Sequence, residues 1–365
     1  MHGHSAAYAA APRAADSMPI IPNLAERTLV RLNQLPGALS DLLGAAVFRA
    51  VGTAQQLGVF EALADEALAV EALATRLGCS TEGLAHLLDL LAAAGYVRKR
   101  GERFHNTAQT TRWMLRRSPR SVGDFLTLWQ AVTFDLWDGL EASLRAGRPA
   151  VHMHEWLSRR PDGWATFNAV MRSAATLGAD EIAERAELPP AARRLLDVGG
   201  SHGLFSVGFC NRYPELSATI FDLPEALESA RRTIAERGMA GRIDTRAGDM
   251  TAHEFGADWD VILLFNVMHY FDVAQNRALL HKASAALRPG GSLLILEQLA
   301  DRAPLPAAAA FVKALSLLYF SALGGRVYRS DEIADWLREA GCAAPRRVSL
   351  RRVPGTHLLI SRRTR

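Results

Sequence analysis

Apolar residues recur at helical spacing over residues 45–61 (AAVFRAVGTAQQLGVFE), with Gly52 and Gly58 as interruptions. Two shorter helices are predicted at 69–77 and 81–94, divided by Gly-Cys-Ser, with Ser80 placed to cap the second. Tyr96, Val97 and Phe104 then flank the charged segment RKRGER, which predicts a short β-hairpin with Gly101 at its tip. Longer helical patterns follow at 121–146 and 164–188, the first carrying Phe125, Leu126, Trp129, Phe134 and Trp137.

The character changes where Pro189 and Pro190 end the helical run. The strands LLDVGG, SATIFD, IDTRAGD, DVILLFNV and SLLILEQ now alternate with helices starting near 203, over 224–237 and over 273–287. Such alternation predicts an α/β fold, a parallel sheet covered by helices on both faces. The end departs from it: VSLRRV, Pro-Gly-Thr and HLLISRR read as an antiparallel hairpin. The expected division is a short disordered N-terminus (1–20), a mainly helical, winged-helix-like domain (21–188) and an α/β domain (189–365).

Composition adds little beyond permission. With 365 residues, 49% hydrophobic and 22% charged, the chain has the length for two domains with real cores. A net charge of +4 is far from that of a nucleic-acid-binding tail. Three scattered cysteines, Cys79, Cys210 and Cys342, form no CxxC, so neither a disulfide framework nor a cysteine zinc site is expected and a cytoplasmic setting fits. Residues 1–15 lack the apolar run of a signal peptide, and no apolar stretch is long enough to span a bilayer.

The chemistry concentrates at strand ends in the second half. Leu195-Leu-Asp-Val-Gly-Gly-Ser-His-Gly203 takes a buried strand into a glycine turn that opens a helix. Glycines let the backbone approach a ligand, and the free N–H groups of a helix start suit an anion. Ser201 breaks the G-x-G-x-x-G spacing of nicotinamide dehydrogenases. Asp222 ends the next strand, where a carboxylate accepts both hydrogen bonds of a ribose diol. Asp249 and Met250 follow the third strand and suit an adenine amino group and ring face. One such turn is weak evidence; three at successive strand ends are strong.

DVGGSHG, FDLP and GDM resemble the S-adenosylmethionine-binding motifs of the small-molecule O-methyltransferases, the family of the plant caffeic acid and flavonoid enzymes and of many bacterial antibiotic-pathway enzymes. The resemblance covers nearly the whole chain and lies closer to the bacterial branch. It implies a Rossmann-like class I methyltransferase domain with a terminal antiparallel hairpin, behind a dimerisation domain that builds an intertwined homodimer. S-adenosyl-L-methionine would be the cofactor and S-adenosyl-L-homocysteine the product. Asp197, Gly199, Gly200, Gly203, Asp222, Leu223, Asp249, Met250, Phe265 and Asn266 are the expected cofactor residues.

His269, in FNVMHYFD after the fourth strand, matches the family's base, and Glu297, at the end of the fifth, its supporting acid. Methyl transfer to a phenol needs a proton acceptor, and imidazole titrates close to neutral pH. A carboxylate can orient such an imidazole. The sequence departs from the family at Tyr270, where Asp is common, at Phe271, where Trp is usual, at Phe265, where plant members carry Lys, and at Tyr328, where many carry a second Glu. Phe167, Asn168 and Met171 match the family segment facing the acceptor. Trp129, Phe134, Tyr270, Tyr328 and, in the stretch FVKALSLLYFSAL that matches the lid helix, Tyr319 are further acceptor candidates, although aromatic residues at helical spacing are more often core.

His253 and His281 read as surface residues, and His202 as a minor cofactor contact. His152 and His154 stand at i, i+2, a spacing that diverges on a helix, and no carboxylate cluster joins them, so no metal is expected. A winged-helix regulator is the non-enzyme rival, yet TEGLAHLLDLLAAA at 81–94 carries no Lys or Arg for a DNA groove. The apolar stretch 42–60 reads instead as a dimer surface. Neither nucleic acid nor membrane is an expected partner. The expected reaction is O-methylation of an aromatic small molecule, with C-methylation or non-methylating S-adenosylmethionine chemistry as alternatives.

Overall fold

A computed structural model describes residues 28–364 apart from 31, 35, 303–305 and 354. The disordered N-terminus expected for 1–20 lies outside these residues. The chain forms two compact units, meeting between Gln130 and Ala131.

In the first unit α1 (Ala38–Leu57) ends at Gly58, whose left-handed backbone (φ 81°) turns the chain into α2 (Val59–Ala62). Strand β1 (Leu68–Ala69), α3 (Val70–Leu77) and α4 (Thr81–Ala93) follow, and Ser80 caps α4 by accepting from the Gly83 N–H. The expected hairpin is β2 (Val97–Arg100) and β3 (Arg103–Asn106), antiparallel, with Gly101 at φ 59°. A short helix, α5 (Ala108–Trp113), was not foreseen; six residues are too few for a periodicity to register. Leu73, Leu88, Leu91 and Phe104 fill the core. Leu39, Leu42 and Leu43 at the start of α1 face outward, whereas Val47, Val51, Ala54, Val59 and Phe60, in the stretch 42–60 read as a dimer surface, are buried in this unit's own core because α1 packs against the helices that follow it.

Helix α6 (Gly123–Phe134) straddles the division. The helix expected over 121–146 is broken by a 3-10 turn at Leu136–Gly139, after which α7 (Leu140–Ala146) resumes. That expected over 164–188 is likewise two helices, α9 (Gly163–Thr176) and α10 (Ala179–Arg185), parted at Gly178. A methyl on Gly178 would lie 2.8 Å from Val353 Cγ1, so close packing sets the break. Between them α8 (Met153–Ser158) was also missed. These helices belong to the second unit, not to the first as the expected boundary at 188/189 has it. Glu181 on α10 accepts from the backbone N–H of Arg351 and Arg352, and Trp137 Nε1 donates to Ser321 Oγ.

The α/β part follows the expected alternation: β4 (Arg194–Val198), α11 (Leu204–Arg212), β5 (Ser217–Asp222), α12 (Pro224–Glu236), β6 (Ile243–Ala247), β7 (Trp259–Phe265), α13 (Val273–Ala286), β8 (Leu287–Gln298), α14 (Pro306–Leu323), α15 (Ser330–Glu339), β9 (Arg346–Ser349) and β10 (Thr356–Arg362). The sheet order is β6-β5-β4-β7-β8-β10-β9. Strands β4 to β8 pair in parallel, and β10 inserts antiparallel between β8 and β9. β7 is buried along its whole length, as a central parallel strand must be. Two apolar clusters, around Phe209, Leu263 and Leu294 on one face and Phe255, Ile262 and Ile295 on the other, sandwich the sheet. The order reverses beside β4, so the carboxyl ends of β4, β5 and β7 open onto the crevice where α/β sheets bind ligands.

Candidate active site

The glycine turn is held tightly enough that larger residues have no place in it. Gly199 and Gly203 take φ of 73° and 74°. A methyl on Gly199 would lie 2.8 Å from Val267 Cγ2 and 3.2 Å from Met250 Cε. The turn is tied to its surroundings by Ser201, whose N–H donates to Asp222 Oδ2 (2.9 Å) and whose hydroxyl donates to Asn168 Oδ1 (3.1 Å). Asn168, on α9, is thus brought to the turn from a distant part of the sequence. The sequence marked Ser201 only as the residue that breaks the dinucleotide spacing; its part in tying the turn was not foreseen.

Asp222 Oδ1 accepts from the Leu223 N–H at 2.7 Å, which turns the chain into α12. Burial pushes the Asp222 carboxyl up to about 6, against the two backbone hydrogen bonds that favour the charged form. Asp249 Oδ1 accepts from both the N–H and the hydroxyl of Thr251, which holds its carboxyl below the usual range. Lys282 Nζ donates to the carbonyls of Met250 and His253 and so anchors this loop. Beside Met250 a cleft of about 280 Å³ is lined by Phe271, Gln275 and Lys282 among others.

Three expected cofactor residues are placed differently from one another. Asn266 stands just past β7 with φ 55°, its N–H on the Leu296 carbonyl. Phe265 lies in the core, edge-on to Phe205 at 5.0 Å, because a central strand buries both its faces. Asp197 is 1% exposed, with Oδ2 accepting from Ser206 Oγ and Oδ1 without a hydrogen-bond partner. Burial pushes it up to about 7, with Ser206 opposing and the Asp222 charge adding. An unfolded Asp ionises near ~3.9. Stability is therefore present while Asp197 is protonated and is lost as pH rises from about 4 to about 7. Asp197→Asn carries no such charge. In urea unfolding without ligand, its unfolding free energy should gain on the wild type by on the order of 2 kcal/mol more at pH 8 than at pH 5. An equal gap at both values would mean that Asp197 does not titrate in this range.

His269 lies in the 3-10 turn Met268–Tyr270 that follows β7, 7% exposed. Its Nδ1 is 2.8 Å from Glu297 Oε2, and Glu297 Oε1 accepts from the Met268 N–H, also at 2.8 Å. Glu297 is 3% exposed. A carboxylate accepts only, so Nδ1 carries the proton in the neutral ring and Nε2 keeps a free lone pair. The turn is braced from behind: Asn276 Nδ2 donates to the carbonyls of Met268 and Phe271. The Tyr319 ring stacks on the imidazole, centroids 4.1 Å apart and planes within 15°. The Tyr270 ring lies 4.9 Å away, tilted by 32°.

The acceptor candidates separate. Tyr270, Tyr319 and Asn168 gather around His269 and the glycine turn, while Phe167 and Met171 are half-buried on α9, Phe167 edge-on to Trp164 at 6.2 Å. Tyr328 does not present its hydroxyl to an acceptor. It donates to the Phe271 carbonyl, and the ring sits in the core edge-on to Trp336, since the segment joining α14 to α15 carries it into that apolar cluster. Trp129 belongs to the first unit, its ring on Phe125, and Phe134 ends α6 with its side chain exposed.

His152 and His154 do not share a helix: His152 is the N-cap of α8, and the two rings meet edge-on at 5.0 Å. The His154 ring reaches Tyr270 at 5.6 Å, and burial lowers its pKa to about 4. Only the aromatic company of His154, visible as HMHEW, hinted at this place. His202, one residue before the Gly203 N-cap of α11, accepts from the Leu204 N–H through Nδ1. Among the described residues no group of three His, Cys, Asp or Glu could hold a metal, and no helix is long and apolar enough to cross a membrane.

A Rossmann-like sheet ending in an antiparallel pair, with a glycine turn and acids at successive strand ends, defines a class I methyltransferase domain. The chain belongs to the O-methyltransferase family: residues 137–343 match its O-methyltransferase domain and residues 40–117 its dimerisation domain. S-adenosyl-L-methionine is the methyl donor of that family. One relative, 3-hydroxy-5-methyl-1-naphthoate 3-O-methyltransferase of Streptomyces sahachiroi, is 32% identical, covering 86% of this chain and 91% of its own. The L-tyrosine C(3)-methyltransferase of Streptomyces lavendulae is 26% identical over 82% and 84%. The structure of the mitomycin 7-O-methyltransferase matches with a TM-score of 0.82 at 25% identity, covering 92% of this chain and 99% of that one.

The site fits S-adenosylmethionine on its own geometry. The cradle that a methyl on Gly199 would fill lies against Met250, and Asp222 keeps lone pairs beyond the two it commits. The turn at 199–203 would hold the amino-acid end, Asp222 the ribose, and Asp249 with Met250 the adenine.

Proposed function

We propose that this enzyme methylates a phenolic hydroxyl of an aromatic natural product, with His269 as general base, and that it works as a homodimer joined through its N-terminal helices. The observation that carries the reading is the buried His269–Glu297 pair at the carboxyl ends of β7 and β8, beside the glycine turn. When bound, S-adenosylmethionine supplies an electrophilic methyl on sulfur. Glu297 holds Nδ1–H, which leaves the Nε2 lone pair to accept a proton. His269 Nε2 would take the proton that the acceptor hydroxyl loses on methylation, and Glu297 would stabilise the imidazolium so formed. Burial of the pair keeps bulk water from competing for that proton. The dimer rests on the dimerisation-domain match and the outward leucines of α1.

The relative from S. sahachiroi is named for a hydroxynaphthoate, which makes hydroxylated naphthoates and simpler phenols the acceptors to screen first. A second reading, transfer to an aromatic carbon, is favoured by the tyrosine C(3)-methyltransferase among the relatives. Incubation with S-adenosylmethionine and these acceptors should give a mass gain of one methyl, with the new signal in the methoxy region of the proton NMR spectrum. An aryl-methyl signal instead would move the enzyme to the carbon-methylating reading.

A further inference from the structure

A single hydrogen bond does not fix a ring. The Glu297 contact sets where Nδ1 points, but the imidazole can still rotate about that axis and carry Nε2 away from its target. Two tyrosines supply the missing constraint. Tyr319 lies nearly parallel to the imidazole at stacking distance, and Tyr270 closes on it at a tilt, with His154 behind Tyr270. Burial raises the pKa of both phenols well above the ordinary range, so both rings are neutral.

Helix α14, which carries Tyr319, is fixed in register two residues further on. Ser321 accepts from Trp137 Nε1 at 2.9 Å, and the Ser321 carbonyl accepts from Ser143 Oγ at 3.3 Å. The same segment then passes directly against the turn that bears the base. A methyl on Gly325 would lie 2.2 Å from the His269 carbonyl oxygen and 2.7 Å from the Phe271 nitrogen. Residues 319–325 therefore contact His269 twice, through a ring on the imidazole and through bare backbone on its main chain.

We propose that Tyr319, with Tyr270, is a positioning residue for His269, holding the plane of the imidazole so that Nε2 faces the acceptor and offering its π face to the imidazolium formed when the proton arrives. This rests on the general-base reading above. It differs from an acceptor-contact role in what it moves: the chemical step rather than the binding of the acceptor.

The test compares Tyr319→Phe and Tyr319→Leu with His269→Ala, each checked by calorimetric binding of S-adenosylhomocysteine. Positioning predicts that Tyr319→Leu loses kcat by about tenfold with the acceptor KM within about twofold, while Tyr319→Phe, which keeps the ring, stays near wild type. A raised KM with unchanged kcat would make Tyr319 an acceptor contact and overturn the proposal, as would a Phe variant as slow as the Leu variant. Should Tyr319→Leu fail to bind the nucleoside, Tyr319→Met takes its place with the same two outcomes. Full turnover in His269→Ala would defeat the general-base reading itself, a result separate from either Tyr319 outcome.

Discussion

Replacing His269 with Ala should lower kcat by about 10²- to 10⁴-fold, the usual worth of a positioned base, while S-adenosylhomocysteine binds as before. The separation is structural. His269 reaches Glu297, Tyr319 and Tyr270, whereas the glycine turn is tied to Asp222 and Asn168 through Ser201. Removing the ring leaves Glu297 buried with one partner, the Met268 N–H, so the variant should also be less stable by on the order of 1–3 kcal/mol. His269→Asn, which can keep a hydrogen bond to Glu297 without offering a basic nitrogen, should recover that stability and none of the rate. Rates under single-turnover conditions, read beside thermal midpoints, check both halves. An Asn variant as fast as wild type would leave proximity and orientation to carry the reaction alone.

The two parts of this site differed in how legible they were. The elements of the expected cofactor side are local in sequence: a strand, its turn and the next helix start are consecutive, and the structure sets Asp222 at the end of β5 and Asp249 just past β6, the strand ends at which the sequence placed them. His269 and Glu297 were placed on one rim as residues at strand ends and given their roles by the family resemblance; the neighbouring parallel strands β7 and β8 bring them together. What failed was the direction of side chains. Phe265 and Tyr328 lie within a residue or two of the rim, yet one step along a strand or coil points them into the core. Tyr319 was expected to face the acceptor, and only packing across α14 shows it lying on the imidazole. The boundary of the second unit failed on the same ground: nothing in the periodicity of 131–188 says which sheet those helices cover.

The departures from the family at Tyr270 and Phe265 also acquire a physical meaning. An Asp after the base would place a second carboxylate near Glu297 and Asp222, whereas Tyr270 places a neutral ring there, bridging His269 and His154. Phe265 fills the sheet core against Phe205 and Phe209, where the ammonium of a Lys would be buried. Both changes make the neighbourhood of the base more apolar.

The cofactor side carries the other large effect. Asp222→Ala should weaken S-adenosylhomocysteine binding by at least about 100-fold, because two hydrogen bonds to a buried charged group are lost together, each worth about 1.5–3 kcal/mol. The loss is compounded within the protein, since the Ser201 N–H is left without its acceptor and the glycine turn loses one of its two ties. Asp222→Asn keeps one acceptor oxygen and should fall between the two. The wild type itself should reveal the group by pH. Asp222 is raised to about 6 by burial, and the diol prefers the carboxylate, so affinity should hold above that value and decline as pH falls through it. The Asn variant has no proton to gain there, and its affinity should stay level across the same range. Calorimetry on the three proteins between about pH 5 and 8 measures this directly. A wild-type affinity that did not change over the range, with Asp222→Ala still weak, would mean that Asp222 acts by holding the turn through Ser201 rather than by taking the ribose.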